Sequence, residues 1–324
     1  MGLSVVRFST PASNEGAWGI VRDGNIYELG NCYPSHRELM ASYFSDPLKF
    51  EAGAAETGRA MDSVHLLSPI SSDVQLFCQG LNYADHRTES GIKDAQGEEN
   101  LIFMKAASSI CGPNDTILRP RDCVLLDYEI ELALVLKEAV SESVSVSEAD
   151  LPRYVGGIVL CNDVSARDVM FGSPMLQWFR GKSQRTFCPM GPVLYLMDEA
   201  DFAHLYSLQL TLKLNGAVKQ SASTDLLIHR PAASLAELST FTDFAPGDCL
   251  LTGTPGGVLA QGSLKAGLAI LLNFKNDARR RQKFTRAQLA QAEFLKPGDV
   301  LELSIKTPDG TIDLGSQRNE IRDA

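Results

Sequence analysis

The sequence predicts a mixed α/β fold in which β-structure dominates. Short apolar segments recur from residue 74 onward and are separated by Gly, Pro and Asp, a pattern typical of strands and turns. Few segments have helical periodicity, and the regular alternation of strands and helices that marks a parallel βαβ sheet is missing. Hydrophobic residues make up 44% of the 324 residues, so the chain can bury a substantial core.

Two domains are predicted, a small N-terminal α/β domain over residues 1–70 and a main domain over residues 71–324. In the first, short strands flank a turn at Asp23-Gly24, and a loosely amphipathic helical stretch follows over residues 35–58. In the second, alternation of apolar and polar residues before Asn215-Gly216 predicts a hairpin. The main domain has two clear helical candidates, residues 234–242 and 286–295.

The composition excludes several classes of partner. Acidic residues outnumber basic residues by 40 to 30, so we expect neither nucleic acid nor an anionic membrane as a partner, since both favour clustered Lys and Arg. No apolar run approaches the roughly 18 residues of a transmembrane helix, and no secretory signal is recognisable. Seven scattered cysteines without a CxxC pair indicate reduced thiols in a cytoplasmic protein rather than disulfides or a zinc site.

The segment LLDYEIELALVL carries the sharpest local pattern. On a strand, Asp127, Glu129 and Glu131 would share one face, which continues with the apolar Ala133 and Val135. Three like charges at a spacing of roughly 7 Å repel each other unless a cation lies among them. Carboxylate oxygens favour Mg²⁺, Mn²⁺ or Ca²⁺ over zinc. A strand with one solvated face is the alternative interpretation.

Two further motifs contain acidic residues that are suited to metal binding or to general-base catalysis. Asp163 follows a buried-looking apolar segment and is placed to be a third ligand, although Asp also favours turns. Tyr83, His86 and Glu89 fall at i, i+3 and i+6, on one face of a short helical turn. A carboxylate beside a histidine can hold the imidazole as a general base, whereas a surface histidine on a loop is the alternative.

Basic residues and a glycine-rich turn complete the set. Lys182, among apolar neighbours, can stabilise an oxyanion or enolate, or it is a surface residue with a buried stem. The turn after GDCLLTGT brings backbone N–H groups and Thr254 to a ligand, or it is only structural. The polar stretch over residues 87–100 is predicted to be a mobile loop. The basic run at residues 279–281 is interpreted as a solvated face or a subunit contact, with an anion site as the alternative.

Together and in this order, these motifs resemble the fumarylacetoacetate hydrolase family. The matching stretches cover residues 73–257 and 294–321 and read GLNYADHRTE, DYEIEL, NDVSARD, GKSQRTFCPMGP, LLTGTPGGV and FLKPGDVLEL. The resemblance implies a mixed β-roll core, a homodimer, and a divalent cation, Mg²⁺ or Mn²⁺, held by Glu129, Glu131 and Asp163. It also implies a His86–Glu89 pair on a lid and Lys182 in the pocket.

The resemblance further implies which residues contact the metal or the substrate. Tyr83, Arg167, Thr186 and Thr254 match family positions with that role. Independently of the resemblance, the guanidinium of Arg167 or Arg185 would bind a substrate carboxylate in bidentate fashion. The chain also departs from the family pattern. Met170 stands where many members have a glutamine, which Gln177 would replace, and Arg185 stands where many have an aspartate. Residues 258–293 are longer than the usual connection.

The expected activity is metal-dependent hydrolysis of a carbon–carbon bond in a ketonic substrate. The substrate would be a small dicarbonyl acid of the acylpyruvate type, such as fumarylpyruvate or maleylpyruvate, which places the enzyme in aromatic catabolism. The main alternative is decarboxylation, isomerisation or dehydration of a 2-oxo acid through the same enolate. A metal-binding dimer without catalysis is the third possibility.

Overall fold

The computed structural model describes residues 2–10, 13–92, 99–172, 175–262, 267, 272–273 and 275–324. Its strands are β1 Leu3–Thr10, β2 Ser13–Arg22, β3 Asn25–Glu28, β4 Arg59–Ala60, β5 His65–Leu67, β6 Leu76–Gly80, β7 Leu101–Lys105, β8 Ile110–Cys111, β9 Ile117–Arg119, β10 Leu126–Asp127, β11 Ile130–Leu136, β12 Val155–Asn162, β13 Ser165–Ala166, β14 Cys188–Leu196, β15 Gln209–Leu214, β16 Ala217–Ser223, β17 Cys249–Leu251, β18 Val300–Lys306 and β19 Asp313–Asp323.

The α-helices of the described residues are short. They are α1 His36–Ser45, α2 Pro47–Ala52, α3 Ala84–Glu89, α4 Leu151–Tyr154, α5 Arg167–Phe171, α6 Trp178–Lys182, α7 Pro231–Leu238 and α8 Asp277–Leu289. Short 3₁₀-helices lie at Met61–Ser63, Ala107–Ser109, Glu148–Asp150, Glu199–His204 and Thr224–Leu226. None of the helices in these described ranges has the length and apolar content of a bilayer-spanning helix.

One large mixed sheet and one smaller sheet form the body of the protein. The large sheet has the order β4-β3-β2-β1-β14-β12-β11-β17-β6-β7, with β5 paired to β1 and β8 to β14. The smaller sheet has the order β16-β15-β18-β19-β9, and β10 pairs separately with β13. Most neighbouring strands are antiparallel, whereas β17 runs parallel to β6. The predicted fold class, mixed α/β and mainly β, is confirmed.

The N-terminal region shares the large sheet with the rest of the chain. Strand β1 pairs antiparallel with β14, with Leu3 opposite Leu196. The helical stretch predicted over residues 35–58 is two helices, because Asp46 ends α1 and Pro47 begins α2. At the start of α1, a capping box joins Ser35 and Glu38. The domain boundary at residue 70 stays a proposal.

Strand β11 lies between two apolar cores. Ile130, Leu132 and Leu134 pack into the core that includes residues of the smaller sheet, such as Leu210 and Leu301. Ala133 and Val135 point the other way, into the core that includes β1 and α1. Because every residue of β11 is buried, the alternative of a solvated strand face is wrong. Acidic side chains at the start of this strand therefore lie in a low-dielectric environment.

The predicted turns are confirmed, and both predicted helices of the main domain differ in their bounds. Helix α7 spans Pro231–Leu238 instead of residues 234–242. Asp23-Gly24 and Asn215-Gly216 both join paired strands with positive φ at each position, 49° and 75° in the first and 51° and 82° in the second. Helix α8 begins nine residues before the predicted start at Arg286, because the Asn276 side chain caps it by accepting the Arg279 N–H. It ends at Leu289, before the predicted end.

Candidate metal centre

Three carboxylates meet where β11 begins and β12 ends. The antiparallel register places Ile130 opposite Asn162. Glu129, just before Ile130, therefore lies beside Asp163, just after Asn162. The Asp163 N–H donates to the Glu129 carbonyl at 2.8 Å. One carboxylate oxygen from each of Glu129, Glu131 and Asp163 lies within 4.8 Å of the other two, and all three residues are buried. The strand pairing therefore brings the three predicted metal ligands together.

Two buried lysines contact this group. Lys182, at the end of α6, donates to Glu129 Oε2 at 2.7 Å and to Asp163 Oδ2 at 2.5 Å. Lys105, the last residue of β7, donates to Asp163 Oδ1 and to the Phe187 carbonyl. Although burial opposes protonation, the charges of Asp163 and Glu129 raise the pKa of Lys182. Both amines are therefore ammonium groups that partly neutralise the carboxylates.

Arg167, the first residue of α5, joins two of the acids. Its Nε donates to Asp127 Oδ2 at 2.9 Å and its Nη2 to Glu129 Oε1 at 2.5 Å. Burial raises the pKa of Glu129, but the stronger combined effect of Lys182 and Arg167 holds it below its ordinary value. Glu129 is therefore fixed as a carboxylate with both oxygens oriented.

Asp127 does not share a strand face with Glu129 and Glu131 as the alternation predicts. The strand is interrupted at Tyr128 and Glu129, between β10 and β11. Besides Arg167, the Asp127 carboxylate accepts from the backbone N–H groups of Leu259 and Ala260, each at 3.0 Å. Its oxygens are thus used to anchor a neighbouring chain segment.

Glu131 is the least neutralised of the acids. Its Oε2 accepts the Gly253 N–H at 2.8 Å, whereas its Oε1 has no hydrogen-bond partner among the described residues. Gly253 has a φ of +87°, and a Cβ there would lie 2.8 Å from that of Asn82, so the close approach requires glycine. Burial, followed by the charges of Asp163 and Glu129, raises the pKa of Glu131 well above its ordinary value.

The residues present fit a divalent cation. The four buried acids, Asp127, Glu129, Glu131 and Asp163, face three cationic groups, Lys105, Arg167 and Lys182. A cation among the ligand oxygens would supply the missing positive charge and a partner for Glu131 Oε1. A donor set made only of carboxylates favours a hard ion such as Mg²⁺ or Mn²⁺.

Helix α3 brings a histidine and a tyrosine to the same group. Charges of Glu129, Arg167 and Lys182 act on the buried His86 ring, but burial dominates and lowers the pKa of His86 to about 4. Tyr83 precedes the helix and lies within range of the Glu131 charge. Within the described part of the chain, neither His86 Nδ1 nor the Tyr83 hydroxyl has a hydrogen-bond partner. Together with Glu131 Oε1, these atoms define what we call the open face.

In the structure, the Glu89 carboxylate accepts a hydrogen bond from a backbone amide. The Gly257 N–H donates to both Glu89 oxygens, at 3.0 and 2.9 Å, and no hydrogen bond between Glu89 and His86 is found among the described residues. Burial raises the pKa of Glu89. Glu89 therefore ties α3 to the glycine-rich turn in this conformation.

Other residues predicted to contact the substrate differ in placement. Thr254 is buried, and its hydroxyl donates to the Ile130 carbonyl while accepting from Gln220 Nε2. Thr186 Oγ1 accepts the Leu118 N–H. Gln177 is half-buried at the start of α6, and Arg185 is exposed.

Two predictions fall partly outside the described residues. The mobile loop predicted over residues 87–100 includes residues 93–98, which are not described. Residues 173–174, near Met170, are not described either. Of the long segment 258–293, residues 263–266, 268–271 and 274 are not described. Met170 itself is buried.

Sequence reasoning did not identify Lys105. It is only 3% exposed and ends the run LIFMK, where a lysine closes an otherwise apolar strand. Such a lysine is usually interpreted as a surface residue at a strand end. The only signal in the sequence was its position at the end of a strand that is apolar throughout.

Comparison with known proteins identifies the same family as the sequence motifs. The family model described as fumarylacetoacetate (FAA) hydrolase C-terminal matches residues 75–322. An oxaloacetate tautomerase of Rattus norvegicus is 31% identical over 267 residues, which are 79% of this chain and 82% of that protein. A 2,4-didehydro-3-deoxy-L-rhamnonate hydrolase of Sphingomonas sp. (strain SKA58) is 32% identical over 308 residues, 92% of this chain and 89% of that one.

Solved structures show the same fold. A probable 2-hydroxyhepta-2,4-diene-1,7-dioate isomerase from Mycobacterium abscessus superposes with a TM-score of 0.73 at 28% identity, covering 100% of this chain and 99% of the other. A fumarylacetoacetate hydrolase from Exiguobacterium antarcticum also gives a TM-score of 0.73 at 28% identity, covering 99% and 100%. The activities in the names of these relatives thus range over hydrolysis, isomerisation and tautomerisation.

Proposed function

This chain belongs to the fumarylacetoacetate hydrolase family, and from that premise we propose that it is a divalent-metal-dependent hydrolase of acylpyruvate-type 2,4-dioxo acids. The substrate would be a compound such as fumarylpyruvate or maleylpyruvate, and the enzyme would act as a homodimer. The observation that carries the proposal is His86, a buried, neutral imidazole beside the acidic group. The 2,4-didehydro-3-deoxy compound named for the Sphingomonas relative supports this substrate class, because it too is oxidised at carbons 2 and 4.

The three clustered acids would hold the metal. Glu129, Glu131 and Asp163 supply one oxygen ligand each or more, and Arg167 and Lys105 keep the ligand carboxylates oriented. Bound there, Mg²⁺ or Mn²⁺ would act as a Lewis acid toward the carbonyl oxygens of the substrate.

His86 would be the general base. With a pKa of about 4, its ring is neutral at pH 7 and able to accept a proton from a water molecule. The water oxygen forms a bond to the distal carbonyl carbon, and the bond between that carbon and the methylene carbon then breaks. The bonding electron pair passes to the pyruvyl fragment as an enolate, which the Lys182 ammonium stabilises. Protonation at carbon yields pyruvate and a carboxylic acid.

Glu89 and the substrate-binding residues have defined tasks in this scheme. Glu89 accepts the Gly257 N–H in this conformation, so it would orient His86 after a change of its side-chain rotamer on substrate binding. Arg167 is already paired with Asp127 and Glu129, which leaves Arg185 as the better candidate for a substrate carboxylate. Gln177 would supply the side-chain amide that Met170 lacks.

Substitution of the proposed base tests the hydrolase. We expect His86→Ala to lower kcat for the best acylpyruvate by about 10²- to 10⁴-fold, the usual contribution of a positioned base. A panel of acylpyruvates assayed with Mg²⁺ and Mn²⁺ would identify that substrate. His65→Ala, at an exposed histidine, is the matched control and should keep wild-type activity. A near-wild-type rate for His86→Ala would refute the role of the base.

A second candidate is tautomerisation or another isomerisation of a 2-oxo acid. The relatives named as oxaloacetate tautomerases, which are 31% and 33% identical in Rattus norvegicus and Xenopus laevis, favour it. It uses the same metal and lysine but needs no attacking water. In ¹⁸O-labelled water, hydrolysis places label in the new carboxylate of the product, whereas tautomerisation leaves the carbon chain intact.

A further inference from the structure

Helix α8 buries polar side chains against the region that carries Arg167. Arg280, Phe284 and Gln288 recur at a spacing of four, on one face of the helix, and are at most 4% exposed. Burying an arginine and a glutamine is costly unless their hydrogen bonds are satisfied. The partners of this face therefore show what the helix is packed to hold.

Two arginines in the first turns of α8 donate hydrogen bonds near both ends of α5. Arg281 Nη2 donates to Asp168 Oδ2 at 2.9 Å and also to the Asp122 carbonyl. Arg280 Nη2 donates to the carbonyl of Gly172 at 2.9 Å, at the C-terminal cap of α5. Since α5 begins with Arg167, these contacts fix the helix that presents the guanidinium to the acidic group.

Asp168 extends this connection to the segment that leads into β10. Its carboxylate accepts the backbone N–H groups of Val124 and Leu125, at 3.2 and 3.4 Å. The Leu125 carbonyl in turn accepts the Arg167 N–H at 2.9 Å. Arg281, Asp168 and this backbone segment thus form one connected network around the start of α5.

The last turn of α8 is connected to the same guanidinium through a second chain segment. Gln288 exchanges two hydrogen bonds with the Gln261 backbone, accepting its N–H at 3.1 Å and donating to its carbonyl at 2.7 Å. The residues just before Gln261 are Leu259 and Ala260, whose N–H groups bind the Asp127 carboxylate. Asp127 accepts Arg167 Nε, so Gln288 fixes the segment that fixes Asp127.

We propose that α8 is a positioning element for the metal centre. Arg281 acts through Asp168, and Gln288 acts through Gln261 and Asp127. Both hold the Arg167 guanidinium at the angle that orients the Glu129 carboxylate toward the ion. The inference rests on the proposed function insofar as it takes Glu129, Glu131 and Asp163 to be metal ligands. Outer residues that orient ligands in this way typically change metal affinity by about 10- to 100-fold when replaced.

Binding of Mn²⁺ to chelator-stripped protein tests the proposal without any substrate. We expect Arg281→Met and Gln288→Met each to weaken Mn²⁺ binding by about 10-fold, measured by the electron paramagnetic resonance signal of free Mn²⁺. Arg281→Lys should restore part of the affinity, because an ammonium can still reach Asp168. Arg279→Met and Gln282→Met, at exposed positions of the same helix, are the matched controls and should bind as wild type does.

The outcomes separate the two proposals. If Arg281→Met and Gln288→Met lower the melting temperature but bind Mn²⁺ with wild-type affinity, α8 is only a structural helix and the inference is wrong. If Arg281→Met does not fold, Gln288→Met and Arg281→Lys decide in the same assay. If wild-type protein itself does not bind Mn²⁺, the proposed function fails and the positioning role fails with it.

Discussion

Two sets of polar groups around the acidic cluster differ in how far their hydrogen bonds are satisfied. In the first set, Lys105, Arg167 and Lys182 donate to Asp127, Glu129 and Asp163. We call this the closed face. On the open face, Glu131 Oε1, the Tyr83 hydroxyl and His86 Nδ1 lack hydrogen-bond partners among the residues that the structure describes.

This difference assigns separate tasks to the two faces. A buried polar atom without a partner costs about 1–3 kcal/mol, so three of them around one acidic group are expensive for folding alone. Such atoms are retained where a ligand completes their hydrogen bonds or coordination. The closed face should therefore govern stability, and the open face should govern metal and substrate binding.

Removal of a closed-face lysine should give the largest effect. Lys105→Met leaves Asp163 with one cationic partner fewer in a buried site, which typically costs about 3–5 kcal/mol of the free energy of unfolding. Urea denaturation of the metal-free protein measures it. Lys219→Met, at an exposed lysine of β16, is the control and should change stability little. A cost below about 1 kcal/mol would contradict the structural role of the closed face.

Removal of an open-face carboxylate should affect the metal instead. Glu131→Gln keeps the shape of the side chain and its contact with Gly253 but removes the ligand charge. We expect Mn²⁺ affinity to fall by at least about 100-fold, the upper end of what loss of an outer-shell residue costs. Stability of the metal-free protein should stay equal or rise, because burial and the charges of Asp163 and Glu129 already oppose ionisation of the Glu131 side chain.

Isothermal titration calorimetry with Mn²⁺ measures the affinity, and Glu302→Gln, at an exposed residue of β18, is the control. Unchanged Mn²⁺ binding by Glu131→Gln would remove Glu131 from the ligand set. A large loss of stability would show that the two faces are not separate.

Much of this arrangement could be predicted from local pattern. Alternation located β11 and β15, and the turn residues Asp23-Gly24 and Asn215-Gly216 located two hairpins, because these signals depend on neighbouring residues alone. The acids of the metal centre were recognised because they stand in motifs of fixed order.

What the pattern could not supply is the pairing across the fold. Lys105 meets Asp163 over 58 residues of sequence, and Arg281 meets Asp168 over 113. Neither Lys105 nor Arg281 carries a local sign of the acid that it will meet, since such pairs follow only from the elements that pack around them. Asp127 was expected on the strand face of Glu129 and Glu131 because the interruption of the strand at Tyr128 has no marker in the sequence.

A smaller effect is expected from the tyrosine of the open face. Tyr83→Phe removes a buried hydroxyl that contributes no hydrogen bond among the described residues, so stability should not fall. If the hydroxyl binds substrate, its loss should raise KM by about 10-fold, the value of one hydrogen bond of about 1.4 kcal/mol. Steady-state kinetics with the best acylpyruvate, beside thermal unfolding of both proteins, gives the two quantities. A stability loss with unchanged KM would place Tyr83 on the structural side.

The smallest effect is expected from a comparison of two buried histidines, His36 and His86. His36, unlike His86, has both ring nitrogens occupied, since Nε2 donates to the Gly247 carbonyl at 2.9 Å and Nδ1 accepts the Ser71 N–H at 3.2 Å. Burial lowers the pKa of His36 from its ordinary 6.5, so below that pH the unfolded chain binds more protons than the folded one. The stability that His36 contributes is therefore complete above pH 6.5 and is lost as the pH falls toward the lowered pKa.

The slope for one such group is at most about 1.4 kcal/mol per pH unit. We expect His36→Gln to flatten the decline of unfolding free energy between about pH 6.5 and pH 5 by up to that amount, whatever its effect on stability at pH 7. Urea titrations across this range measure the slope, with His65→Gln at an exposed site as the control. An unchanged slope would mean that His36 is as accessible to protons in the folded state as in the unfolded chain, which its two hydrogen bonds and complete burial argue against.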